Sequence, residues 1–155
     1  MTPDVEDKFA QIVCAHLQDP QSHLVESVQS LWSGYGEVAR YYSPRLQHTV
    51  IAKVINLSAQ GKHPRGWQSD TSHQRKLSSY LNEQAFYQHY AQLTTKECAV
   101  PFLIALGQSE ACFCVIMEDL DARGLGVRYL KANRKLAMQG VYWLANFHAT
   151  FMQQA

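Results

Sequence analysis

A lone lysine stands inside the apolar run Thr49-Val-Ile-Ala-Lys53-Val-Ile-Asn-Leu57. If the run is a strand, alternation puts Lys53 on the same face as Ile51 and Ile55. A buried ammonium demands an anion, because desolvating an unpaired charge is costly. If that face is solvated, Lys53 is an ordinary surface lysine. A matching carboxylate is Glu83, which shares one helical face with Tyr80, Tyr87 and Tyr90. No lysine or arginine lies three or four residues from Glu83. Either its partner comes from elsewhere in the fold, or it is a half-exposed glutamate at a helix edge.

Two further stretches could handle a nucleotide. LWSGYGEVARYY, residues 31–42, places Gly34 and Gly36 one residue apart before a strand-like run. Such a loop either lets backbone approach a phosphate closely or simply makes a tight hairpin. In Val115-Ile-Met-Glu118-Asp119-Leu120 an apolar strand runs into two acids and a leucine. A strand that leaves a sheet there frees carbonyl and amide groups for the edge of a heterocycle such as adenine. Equally, two solvated acids could cap a plain strand end.

The elements that must position these residues follow from periodicity. Apolar side chains at helical spacing (Val5, Phe9, Ile12, Val13, Leu17) predict a helix over 4–18. β-branched and aromatic texture with turn breaks predicts strands over 25–33, 36–43 and 47–57. Residues 58–72 read as an exposed loop and 72–92 as a long helix. Strands over 102–106 and 111–117 flank the turn Gly107-Gln-Ser-Glu110, and a last helix covers 130–153. The fold class expected is α+β: a five-stranded antiparallel sheet with a long helix after the third strand, plus an N-terminal and a C-terminal helix.

The chain has 155 residues, 46% hydrophobic and 17% charged, enough for a real core. A formal charge of +1 provides no footprint for nucleic acid or an anionic membrane surface. The N-terminus has no signal-peptide pattern and no run reaches the ~18 apolar residues of a membrane span, so a soluble, cytoplasmic protein is expected. Cys14, Cys98, Cys112 and Cys114 lack a C-x-x-C pair and read as reduced, buried residues. The histidines lack metal spacing, no structural zinc is expected, and His148 reads as a hydrogen-bonded core residue. Lys62-His-Pro-Arg65 and Arg75-Lys76 form a basic patch, either solvated or steering an anion.

A glycine loop between two strands, a lysine on the next strand, a glutamate in the following helix and an apolar strand ending in a connector occur in the order of a kinase ATP-binding lobe. On WSGYGEVARYY, TVIAKV, LNEQAFY, VIMEDL and LANFHATF, residues 28–152 resemble the N-terminal lobe of the protein-kinase-like phosphotransferases. The nearest branch is that of the aminoglycoside phosphotransferases and choline kinases, especially its ecdysteroid-kinase-like members. The resemblance implies an ATP- and Mg2+-dependent kinase that transfers the γ-phosphate to a hydroxyl of a small molecule. It implies a nucleotide site of Gly34, Tyr35, Gly36, Glu37, Lys53, Glu83, Met117, Glu118 and Leu120. In that site the glycine loop covers the phosphates, and Lys53 contacts the α- and β-phosphates and pairs with Glu83. Met117 sits behind adenine, while the Glu118 carbonyl and Leu120 amide bond its edge.

Two departures stand out. Ala39 occupies the place of the third loop glycine. The catalytic aspartate, and the asparagine and aspartate that hold magnesium, belong in this family to a C-terminal lobe and have no counterpart here. Residues 1–120 are therefore expected to be the lobe, and 121–155 the connector and first helix of a lobe otherwise absent. Such a chain is inactive alone, and the stripe Leu144, Phe147, His148, Phe151 predicts self-association. The alternative is a non-catalytic module that binds a nucleotide or a partner.

Overall fold

Helix α1 (Pro3–Leu17) presents Phe9, Val13 and Leu17 at four-residue spacing, and all three are fully buried. Each contributes roughly 1.5–3 kcal/mol of burial. The helix ends where Gln18 takes a left-handed φ of 52°. The next residue, Asp19, accepts hydrogen bonds from Ser43 Oγ at 2.6 Å and the Arg45 amide at 2.9 Å. One carboxylate thereby ties the end of α1 to the turn after the second strand.

The structure is a computed structural model that describes residues 3–31, 36–56, 70–108, 112–125 and 129–152, with side chains from Lys8 in the first helix and from Gln74 in the second. Strands β1 (His23–Ser30), β2 (Gly36–Ser43), β3 (His48–Asn56), β4 (Leu103–Gln108) and β5 (Cys112–Glu118) form one sheet of order β1-β2-β3-β5-β4. Every neighbouring pair is antiparallel. The α+β class and the five-stranded antiparallel sheet are as expected. β1 begins two residues earlier than its texture suggested.

The sheet has two covered faces, which explains why β5 is buried almost throughout. Ala39, Tyr41, Val50, Ala52, Val54, Cys114 and Ile116 pack on α1. Ile55, Phe113 and Val115 turn the other way and meet Tyr80 of helix α2 (Asp70–Ala85) and Tyr87 just beyond its end. Burial, helped by Cys112 nearby, pushes the Cys114 thiol up to about 12. Cys14 departs from its expected burial: it is half-exposed, with Sγ donating to the Ser22 carbonyl.

α2 continues through a π-turn at Phe86–Tyr90 and a 3-10 turn at Ala91–Leu93. The wider turn takes Tyr90 off the face it was expected to share with Tyr80, Glu83 and Tyr87. Tyr90 is about half exposed, and its ring meets Phe151 edge-on at 6.3 Å. Helix α3 (Arg134–Met152) is capped by Asn133 Oδ1, which accepts from the Leu136 amide. It docks through Trp143 Nε1 donating to the Ala99 carbonyl and through Phe147 and Phe151 against Phe86. The expected stripe is therefore split: Phe147 and Phe151 are partly covered, whereas Leu144 and His148 are exposed. His148 is not the buried residue its helical position suggested. No described helix is long and apolar enough to cross a membrane.

Candidate functional site

Lys53 sits opposite Val38 on β2 and Val115 on β5, so its stem is flanked by apolar strands. Its Nζ lies 2.5 Å from Glu83 Oε2 and 5.4 Å from the centre of the Tyr80 ring. The side chains are 17% and 29% exposed, which rules out both the solvated lysine and the unpartnered glutamate. A pair this open contributes roughly 0–1 kcal/mol. What it does is hold an ammonium on the sheet face that α2 covers. One turn on, Tyr87 donates to Met117 Sδ at 3.7 Å, and burial followed by the nearby Glu83 charge pushes its phenol upward.

Gly36 opens β2 at φ +156°, and a Cβ there would stand 1.9 Å from the Val54 carbonyl oxygen. Only glycine lets β2 close this tightly over β3. The Leu31 amide donates to the Gly36 carbonyl at 2.8 Å, joining the two ends of the hairpin. Gly34 and Tyr35 lie outside the described residues. Glu37 corrects the expectation: it is 3% exposed and opposite Val54, on the α1 face, where Ser27 Oγ donates to it. Its side chain is turned away from Lys53, so only its backbone can serve the site.

Two residues along β3 from Lys53, about 7 Å, Ile51 lines a cavity of about 320 Å³. Its other walls include Val38, Arg40, Met117, Leu120 and Leu125. Of the connector residues, Met117, Glu118 and Leu120 all reach this cavity. The Leu120 amide has no acceptor among the described residues. Glu118 uses its amide on the Phe102 carbonyl, and its carboxylate accepts from the Phe102 amide and Arg123. A larger cavity, about 710 Å³ beside Leu46 and Ile104, lies on the α1 side and involves neither Lys53 nor Glu83.

Sequence reasoning missed Arg40 and the role of Asp119. Arg40 Nε donates to Asp119 Oδ2 at 2.6 Å and Nη2 to Oδ1 at 3.3 Å, while Thr49 Oγ1 donates to the same carboxylate at 2.6 Å. Asp121 and Glu26 complete a ring of carboxylates around the guanidinium. Burial pushes the Asp119 carboxyl up, but the bonds from Arg40 and Thr49 prevail and hold it below its usual range. Arg40 lies opposite Ile51 and two residues from Val38. The alternation that singled out Lys53 could have found it.

Among the described residues no group of three or more His, Cys, Asp or Glu is placed to hold a metal ion. The acids of the connector are engaged by Arg40 and Arg123. No protein-family model matches this chain, and no curated protein matches it significantly. The ammonium, the carboxylate that holds it, the tight hairpin and the adjoining apolar cavity are therefore the observations on which a function must rest.

Proposed function

We propose that this chain is the nucleotide-binding lobe of an ATP-dependent phosphotransferase acting on a hydroxyl of a small molecule. The observation that carries the reading is the meeting of Lys53 and Glu83 at 2.5 Å, beside a glycine-closed hairpin and an apolar cavity. The arrangement suits a nucleotide whose base lies in the cavity and whose phosphates reach the ammonium. Glu83 keeps Lys53 aimed, Met117 backs the base, and the Leu120 amide, which has no acceptor among the described residues, is a donor for its edge. Bound phosphates gain charge stabilisation from an ammonium that has already been positioned. Magnesium would accompany the nucleotide, with ligands from outside the residues described. We assign the protein to the cytoplasm, where nucleotide is available and its thiols stay reduced.

The test is thermal unfolding during titration with ATP, with and without Mg2+. Saturation at 100 times Kd adds about 2.7 kcal/mol, or roughly 5–10 °C for a chain of this size. Lys53→Met should melt near wild type without nucleotide and lose most of that shift. Glu83→Gln should lose part, and the double variant should be no worse than Lys53→Met, because the two act as a unit. No shift at millimolar ATP, or an undiminished shift in Lys53→Met, would sink the proposal. A second reading, a non-catalytic module that binds a partner, draws support from the exposed Met138, Val141, Tyr142 and Leu144 of α3.

A further inference from the structure

Arg40 is a charged residue on the wall of a cavity otherwise made largely of aliphatic side chains, Val28, Val38, Ile51, Leu120 and Leu125 among them. Its side chain is only 16% exposed. A guanidinium has five N–H donors, all in one plane. Four hydrogen bonds leave these donors of Arg40: two to Asp119, one to Glu26 and one to Asp121. These come from β1 on one side and the connector on the other, so the edges of the group are occupied and its orientation is determined. What a plane with four of its five donors engaged can offer a cavity is its face, and a guanidinium face stacks on flat aromatic rings.

Charge decides which part of a nucleotide lies there. One guanidinium against the three carboxylates Glu26, Asp119 and Asp121 leaves a net charge of −2 at this end of the cavity. A triphosphate is repelled from such a place, and an uncharged ring is not. The phosphates are thus left the Lys53 end, two residues along β3 from the Ile51 that faces Arg40.

We infer that Arg40 is the surface on which the base of the nucleotide stacks, and that Glu26, Asp119 and Asp121 are positioning residues that hold its plane flat. This rests on the nucleotide reading above. The ligand class is a nucleotide with a planar heterocycle, and Arg40 recognises the ring rather than the phosphates.

The experiment compares three probes, ATP, adenosine and inorganic tripolyphosphate, on the wild-type chain and on Arg40→Lys. The variant keeps a cation beside buried Asp119 but loses the plane. Affinity for ATP and adenosine should fall about five-fold or more, while tripolyphosphate binding stays within a factor of about two. Unchanged ATP affinity, or an equal fall for tripolyphosphate, overturns the inference and leaves the nucleotide reading standing. A wild-type chain that binds none of the three overturns both. Should Arg40→Lys fail to fold, the Glu26→Gln, Asp121→Asn double variant serves instead. Glu26 and Asp121 are half exposed, and their loss frees two edges of the guanidinium. Weaker adenosine binding with no weaker tripolyphosphate binding supports the inference, and unchanged adenosine binding refutes it.

Discussion

Asp119 carries more of the architecture than any other acid of the connector. Its side chain is 3% exposed, and it binds β2 through Arg40 and β3 through Thr49. Its loss leaves Arg40 only the half-exposed Glu26 and Asp121 and takes the acceptor of Thr49 away, so Asp119→Ala should cost on the order of 3 kcal/mol, or roughly 6–12 °C in melting temperature. Its pH dependence has a definite sign. A carboxyl held below its usual value stabilises the fold above the unfolded value, about 3.9, and loses that contribution as pH falls further through the folded value. Asp19, lowered chiefly by the hydrogen bond from Ser43 and then by the Arg45 amide, acts in the same direction. Stability of the wild type should therefore decline below about pH 4, and Asp119→Asn should flatten that decline in urea unfolding. An equally steep acid limb in the variant would show that Asp119 takes no part. In the sequence this residue is one of two acids at a strand end, and nothing local reveals its partner. Arg40 stands 79 residues away, so the pairing exists only once β5 has joined β3.

Among the elements, the β2–β3 hairpin and α2 bear most on the site. Gly36 is required by geometry: an alanine would bring its methyl against the Val54 carbonyl in a backbone region that side chains avoid. Gly36→Ala should cost more than about 1 kcal/mol and speed hydrogen exchange around Ile55, its partner across the pair. Native stability with native exchange would mean that the strands have room to spare. Periodicity made α2 legible as a helix with Glu83 on its tyrosine face. The π-turn was not legible, because apolar spacing registers that a turn is buried but not how many residues it holds. Tyr90 consequently faces α3 instead of the sheet.

For the molecule as a whole, the central strands β3 and β5 are sheltered on both faces, but the edge strand β1 and helix α3 are not. None of the described side chains of α3 is buried, and Met138, Val141, Tyr142, Leu144 and Met152 stand exposed. An apolar surface of this kind favours association. In sedimentation the average mass should rise with concentration through the micromolar range, and Val141→Glu with Leu144→Glu should suppress the rise without lowering the melting temperature. A constant monomer mass would count against association through α3. Helical spacing predicts a stripe through Phe147 and Phe151, but those rings have found Phe86 and Tyr90, leaving a different set of apolar residues outward.

What the amino-acid order determined by itself was whatever depends on neighbours a few residues apart. That includes the succession of helices and strands, the shared phase of Ile51, Lys53 and Ile55, and the place of Glu83 among tyrosines. It also showed that Lys53 and Glu83 have no local partner, so that each would need a distant one if buried. Only the tertiary structure decided which strand faces which. It turned the side chain of Glu37 away from Lys53, set Arg40 within a ring of acids, widened one turn of α2 and chose which side of α3 is covered. Each of these depends on contacts between residues distant in the chain, whose energies appear only when the sheet has assembled and water has been excluded from between its layers.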